Sequence, residues 1–480
     1  MTTHTHTEIQ KMSGTEQARL IRQGKLSPVD AVDASLARIE ELNPKLNAFC
    51  VVAEERARKT ARRAEQAVEN DDPLGPLHGV PVAIKDLITT KGLRTTFGSR
   101  MYEDFVPEED NIVVERIKDA GGIIIGKTNV PEFGYQGITD NAIYGETANP
   151  WDTDKTPGGS SGGSGAAVAS GMVPLALGSD GGGSVRIPAS FCGLYGIKGS
   201  FGRVPVYPDH RDPDVAGGNG WESLEHIGPI TRTVADSALL MDVMAGPYHM
   251  DRHSLPDDGT EFLASISNPN VSGLRVAYSQ DWGHAAVDSR VREHTAEAAS
   301  VFEDLGCTVE HADPGFGDFV EAFTAVVANE TDLAGLRDAH ERGELDEDLL
   351  INIIETEWDV EDFTNGKKAR QRLNMELRRF MEEYDLLLTP TLAVPPFDLD
   401  SPGPTEIEGR EVPLFHWLSF TFPLNMTGHP AATVPAGWTD DGLPIGLQLI
   451  GTHLGDQTVI EASAAYESAN SWSGRYFPDV

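Results

Sequence analysis

The 480-residue sequence predicts an α/β fold. Three observations carry that prediction. Short apolar runs at 80–84, 122–126, 386–388 and 443–450 read as buried strands. Segments with apolar residues at helical spacing separate them, so strand and helix alternate along the chain. Between residues 156 and 188 lie two glycine–serine loops, joined by a short apolar segment that suits one helix (166–169) and one strand (173–177).

In chain order, residues 1–14 are polar, lack a signal-peptide apolar stretch and read as a disordered tail. Ser27, Pro28 and Asp30 form a helix start. Val32, Leu36, Ile39 and Leu42 continue it, and Asn43 with Pro44 is the expected stop. A charged helix follows over 54–68, so 15–70 is expected to be helical scaffold, with the principal domain at 71–480. The strand at 80–84 runs into Lys85 and Asp86. A lysine there has two readings: a structural cation paired with Asp86 or snorkelling to solvent, or a general base, since burial disfavours the charged form. Helix 111–120 and strand 122–126 come next. Residues 121–128 satisfy the phosphate-loop pattern, but its spacer is itself a strand and no helix follows, so nucleotide binding is discounted. The GxSxG frames at Ser160 and Ser161 lack the strand that a nucleophile elbow needs before it.

Beyond the loops, 228–230 leads into a helix carrying Ala235, Leu239, Leu240 and Val243. Strand 274–278, helix 291–305 and strand 307–310 follow. Residues 316–384 are acidic and mostly helical, and are expected to form an insertion or cap. Strands at 386–390, 432–434 and 443–450 and a C-terminal helix complete the chain. Cys192 reads as a small buried residue and His429, in a turn, as structural.

Composition excludes several function classes. The net charge is −37, which argues against a nucleic-acid surface. The acidic residues are spread along the chain, as expected for a protein adapted to high internal salt, where self-repulsion is screened. No apolar run approaches the roughly 18 residues of a membrane helix. Three cysteines without a signal peptide point to a reducing cytoplasm. No metal-ligand spacing is present, so no metal is expected.

The loop chemistry is more specific. Residues 158–163 read GGSSGG and residues 180–184 read DGGGS. A run of glycines ending in a serine can aim several backbone N–H groups at one point, with a nucleophile attached. A flexible linker or a phosphate-binding nest are the alternatives. The apolar segment between the loops and the SVRIP continuation at 184–188 count against a linker.

With Lys85, Ser160 and Ser184 in view, the sequence resembles the amidase signature family over roughly residues 15–470. The resemblance rests on GGSSGG at 158–163, DGGGSVRIP at 180–188 and VAIKD at 82–86. GKTNVPEF at 126–133 and GLPIGLQ at 442–448 support it. Ser184 lies 24 positions after Ser160, and Ser160 lies 75 after Lys85, both as in the family. The resemblance implies one large domain with a mixed central sheet flanked by helices. It implies a catalytic triad in which Ser184 is the nucleophile, Ser160, on a cis peptide, the proton relay, and Lys85 the base. The N–H groups of Gly181, Gly182, Gly183 and Ser184 would hold the oxyanion. Gly134 and Tyr135 fall where relatives line the acyl pocket; Phe415, Trp417 and Phe420 contribute there or pack in the core. Asp180 and Arg186 would brace the loop. One departure is Gly181, where relatives often carry threonine or isoleucine; it loosens the loop or makes room for a bulkier group.

The implied activity is hydrolysis of a small-molecule amide through a serine acyl-enzyme, with no cofactor, no membrane and no nucleic acid. Many relatives are dimers, so a homodimer is compatible with the resemblance. The alternative within the family is the glutaminase subunit of a tRNA-dependent amidotransferase. Against it stand Ile187, where those relatives carry glutamine, and the composition of 209–221. The alternative from another class is an anion- or nucleotide-binding module built on the glycine loops.

Overall fold

The computed structural model describes residues 4–208, 220–478 and 480. Most of the contrast drawn over 209–221 therefore lies outside the described residues. An eleven-stranded mixed sheet organises the chain. Its strands are β1 (Phe49–Val52), β2 (Pro81–Lys85), β3 (Ile123–Thr128), β4 (Leu175–Ser179), β5 (Tyr195–Lys198), β6 (Ile227–Thr231), β7 (Arg275–Tyr278), β8 (Thr308–His311) and β9 (Leu386–Pro390). After a small separate hairpin, β10 (Glu406–Ile407) and β11 (Arg410–Glu411), β12 (Ala431–Trp438) and β13 (Pro444–Gly451) return to the sheet. The strand order is β1-β3-β2-β4-β6-β5-β12-β13-β9-β7-β8. Parallel pairing joins β3, β2 and β4, and again β9, β7 and β8; the other pairs are antiparallel. The sheet is mixed, as the resemblance implied.

Helices cover both faces. The N-terminal set is α1 (His6–Lys11), α2 (Gly14–Arg22), α3 (Pro28–Leu46) and α4 (Glu54–Glu69), followed by α5 (Ile112–Asp119). The central pair is α6 (Gly162–Ala169) and α7 (Arg186–Phe191), and then come α8 (Val234–Met244), α9 (Phe262–Ser265) and α10 (Ser289–Asp304). The 316–384 segment holds α11 (Val320–Asn329), α12 (Leu333–Glu341), α13 (Asp348–Glu355) and α14 (Val360–Phe380). Helices α15 (Phe422–Thr427) and α16 (Asp456–Ala469) complete the set. No described helix is long and apolar enough to cross a membrane.

Two expectations are corrected, and one strand is added. The tail expected at 1–14 is helical from His6: Thr5 and Glu8 form a capping box, and buried Ile9 packs with Leu20, Ile21 and Ala31. Six residues are too few for a periodic signal, so only the cap could have revealed it. The helix from Pro28 does not stop at Asn43 but runs to Leu46, with Pro44 in its last turn and Asn47 as a left-handed cap. The Asn43 side chain accepts from the Phe49 N–H at 2.7 Å, holding the exit into β1. Residues 228–230 do lead into the expected helix, α8, but are themselves the middle of β6, a strand not read from the sequence, paired with β4 and β5. Glycine there has a packing reason, since a Cβ on Gly228 would sit 2.1 Å from the Ile197 carbonyl oxygen.

The parallel trio places the site. In open α/β sheets, ligands bind beyond the carboxyl ends of parallel strands. Here those ends present Thr128, Lys85 and Ser179 side by side, with Lys85 in register with Thr128. Gly126 holds β1 against the edge of this trio, because a Cβ there would lie 2.2 Å from the Val51 carbonyl oxygen. Gly126→Ala is expected to lower the thermal midpoint by the equivalent of about 1–3 kcal/mol through overpacking. An unchanged midpoint in a melting experiment would contradict this account of the edge.

Candidate active site

Lys85 ends β2 with no exposed surface. Its Nζ lies 2.7 Å from Ser160 Oγ, 3.0 Å from Ser179 Oγ and 3.2 Å from the Ser179 carbonyl oxygen, all within hydrogen-bond distance. The pairing with Asp86 does not occur. Successive residues of an extended chain point to opposite faces, and Asp86 turns to Lys127, 3.4 Å away on β3. Asp86 also accepts from the Thr96 N–H and hydroxyl, at 2.9 and 2.6 Å. Burial pushes its carboxyl up, against the pull of Lys127. Lys127, the lysine of the discounted phosphate-loop pattern, donates from within β3 to the Ile88 carbonyl and Thr95 Oγ1.

Ser160 arrives from the loop before α6. The Gly159–Ser160 peptide is cis. Serines of the same segment tie it to the sheet: Ser161 Oγ donates to the Ser179 carbonyl at 3.2 Å, and Ser164 Oγ to the Leu177 carbonyl at 2.8 Å. The glycine–serine composition is thereby accounted for. Small residues let α6 lie on the sheet, and hydroxyls satisfy the strand ends.

Ser184 follows β4 on the second loop. Asp180 braces that loop from within, accepting from the Gly183 N–H at 2.8 Å and the Val185 N–H at 3.2 Å. Arg186 clamps Asp180 through Nε and Nη2 at 3.0 and 2.9 Å, and also reaches Gln448, Asn425 and the Thr421 carbonyl. Burial would raise the Asp180 carboxyl, but Arg186, with lesser help from Lys198 and Asn425, holds it well below the usual carboxylate range.

This bracing corrects one oxyanion-hole assignment. The Gly183 N–H is already taken by Asp180, so it is not available to a substrate oxygen in this structure. Among the described residues, the N–H groups of Gly181, Gly182 and Ser184 have no acceptor. Gly181 makes room rather than slack: a Cβ there would lie 2.3 Å from the ring of Trp221, which fills the space.

Ser184 faces two adjoining cavities. The smaller, about 400 Å³, is lined by Ser160, Ser179, Gly181, Ser184 and Glu225, among others. The larger, about 720 Å³, runs from Ser184 and Gly182 between Trp221, Phe323, Val327, Leu349 and Ile353. Gly134 and Tyr135 border both. Phe415 lines the larger cavity, whereas Trp417 and Phe420 are core residues, with Trp417 stacked on Phe191. The structure thus brings Lys85 and Ser160 into contact and sets Ser160 and Ser184 on one cavity wall. Sequence reasoning missed Trp221, Phe323, Leu349 and Ile353. Each carries only an apolar signal, which a core residue carries equally.

The architecture is that of an α/β enzyme with its cavity at the carboxyl ends of three parallel strands. The Amidase family model matches residues 30–460. The sequence is 40% identical to an acylamidase of Rhodococcus erythropolis over 473 residues, covering 97% of this chain and 96% of that protein. It is 36% identical over 487 residues to a glutamyl-tRNA(Gln) amidotransferase subunit of Bacillus velezensis, covering 95% and 96%. Among solved structures, a bacterial aryl acylamidase of the amidase signature family superposes with a TM-score of 0.89 at 33% identity, covering 97% of each chain. A 6-aminohexanoate cyclic dimer hydrolase superposes with a TM-score of 0.84 at 30% identity, covering 98% and 99%. The chain belongs to the amidase signature family and is an amide-hydrolysing enzyme.

The Asp180–Arg186 pair yields a prediction. Because the folded carboxyl is depressed, its stabilisation is present above the unfolded value near 3.8 and is lost as pH falls through the depressed value. Asp180→Asn removes it at every pH and leaves a buried guanidinium uncompensated. The expected loss is about 3–5 kcal/mol in denaturant unfolding at neutral pH, with loss of turnover. A variant as stable as the wild type would contradict the bracing role.

Proposed function

We propose that the enzyme is a stand-alone amidase that hydrolyses uncharged amides with a bulky apolar acyl group through an acyl-enzyme on Ser184. Ser184 Oγ attacks the amide carbonyl carbon while its proton passes to Ser160 Oγ, whose own proton passes to the lone pair of Lys85 Nζ, a neutral amine in the resting enzyme. The carbonyl oxygen becomes an oxyanion facing the N–H groups of Gly181, Gly182 and Ser184. The relay then runs in reverse: the leaving nitrogen takes a proton, the C–N bond breaks and the amine departs. Water attacks the ester, giving its proton to the same relay; the bond between the acyl carbon and Ser184 Oγ then breaks, Ser184 Oγ regains a proton from the relay, and the acid leaves and ionises to the carboxylate. The observation that carries this reading is the 2.7 Å contact between buried Lys85 and Ser160 beside the cavity that Ser184 enters.

The wall of the larger cavity supports the stand-alone reading over the glutaminase alternative. Among the described residues lining it there is no lysine, arginine, aspartate or glutamate. Among these described residues the α-amino and α-carboxyl groups of glutamine would find no counter-charge, and burying them unpaired is costly. Ile187, where the glutaminase relatives carry glutamine, is part of that apolar wall.

Labelling with a fluorophosphonate, followed by peptide mass spectrometry, tests the assignment. The expected modification is on Ser184, with the rate reduced at least about a hundredfold in Lys85→Ala by loss of general-base catalysis. Labelling elsewhere, or equal rates in the two proteins, would contradict it. The purified chain is expected to cleave apolar anilides and amides unaided, and to leave glutamine intact.

The charge of −37 supports a second, independent proposal: the fold is adapted to high salt. The thermal midpoint is expected to rise between dilute buffer and molar KCl as self-repulsion is screened. A flat or falling midpoint would remove the proposal.

A further inference from the structure

Helix α13 contributes Leu349 and Ile353 to the wall of the larger cavity. The contacts that seat it come from the short segment that borders both cavities. Glu132 Oε2 accepts from the N–H groups of Asp346 and Glu347, each at 3.0 Å. The Gln136 side-chain amide donates to Glu347 Oε2. Tyr135 Oη and Thr331 Oγ1, between α11 and α12, lie 2.7 Å apart. Glu347 Oε1 accepts from the Leu349 N–H at 3.1 Å, capping α13 just before its two cavity residues.

Two carboxylates therefore meet at one buried joint. Glu132 is 3% exposed and Glu347 4%. The charged groups around Glu347 are Glu132 from the opposite segment and its own neighbours Asp346 and Asp348; Arg100 Nε lies 3.3 Å from Asp346. Among the described residues, neither Glu132 nor Glu347 has an ion-pair partner. Burying two such charges together without a cation is costly, so the joint favours a proton on one of them.

We propose that Glu132, Gln136 and Glu347 form a latch that seats α13 against the acyl cavity, with Glu347 a positioning residue whose protonation sets the depth of that cavity. The assignment to substrate depth rests on the reading that this cavity receives the acyl group. Glu347 acts through Leu349 and Ile353 and does not touch substrate itself.

Burial, reinforced by Glu132 and Asp348, pushes the Glu347 carboxyl up to about 7. Its value in an undocked segment is near 4.5. The sign follows from proton linkage. The docked form binds the extra proton, so docking is fully favoured below 4.5 and loses that contribution as pH rises through about 7. Above that, a second negative charge stands beside Glu132 and the latch loosens.

Hydrogen exchange of residues 331–356, corrected for the intrinsic pH dependence of exchange and referenced to β12, reads the latch without any turnover. In the wild type, protection of that segment is expected to fall by up to about tenfold per pH unit between about pH 5 and pH 7. In Glu347→Gln, which keeps the shape and loses the titration, it is expected to be flat. Steady-state kinetics gives a second readout: KM for a bulky apolar amide rises over the same interval in the wild type only, while kcat and the KM for a small aliphatic amide do not follow it. Where Glu347→Gln does not fold, Glu132→Gln replaces it; removing the facing charge moves the wild-type transition to lower pH. Protection that is flat in the wild type, equally pH-dependent in Glu347→Gln, or unmoved in Glu132→Gln overturns the latch. Absence of turnover in every protein, with the exchange transition intact, would overturn the proposed function and leave the latch standing.

Discussion

A lysine side chain with no exposed surface ends a strand inside the sheet, and three oxygens lie within hydrogen-bond distance of its Nζ. Buried polar groups are costly unless hydrogen-bonded, so this one side chain constrains much around it. β4 must end level with β2 to present Ser179. The loop before α6 must turn back far enough to offer Ser160, and the serines of that segment must anchor it to β3 and β4. The parallel pairing and the polar stitching of α6 are two parts of one solution.

The second loop is held by a different device. Asp180 folds the chain around its own carboxylate, and Arg186 joins that carboxylate to Gln448 on β13 and to Asn425 and Thr421 around α15. The residue carrying Ser184 is thereby fixed from two distant parts of the sequence. Against this rigid side stands a wall of a different kind. Helices α11 and α13 and residue Trp221 line the larger cavity mostly through apolar side chains. Chemistry is placed on the sheet, whereas selectivity in the proposed function is placed on the helical wall. The latch at Glu132 and Glu347 is where the two meet.

Much of this arrangement was legible in the sequence, for identifiable reasons. Strands such as 386–390 and 444–451 are apolar runs bounded by breakers, and the periodicity of α3 and α10 is long enough to read. The glycine loops were legible because few other structures need that composition. β6 was obscured because glycine and proline are depleted in strands, while here Gly228 serves a close strand approach. The partner of Asp86 was obscured because local order suggests Lys85, and only the pairing of β2 with β3 reveals Lys127. Gly183 illustrates a finer limit. Its residue type suits an oxyanion donor, but the direction of its N–H depends on Asp180, three residues away, accepting it. The helical wall was legible only as helix, because apolar residues facing a cavity and apolar residues facing a core have the same pattern.

The central claim is that an acyl group passes through Ser184 while Lys85 and Ser160 move its proton. The most direct measurement is rapid-quench intact-mass spectrometry of the wild-type enzyme during turnover of an activated apolar anilide. The account predicts a transient mass increase equal to the acyl group, located on Ser184 by peptide mapping, formed no later than the first equivalent of aniline. Turnover with no acylated protein at any quench time, when a hydroxylamine trap also fails to divert the acyl group, would contradict it.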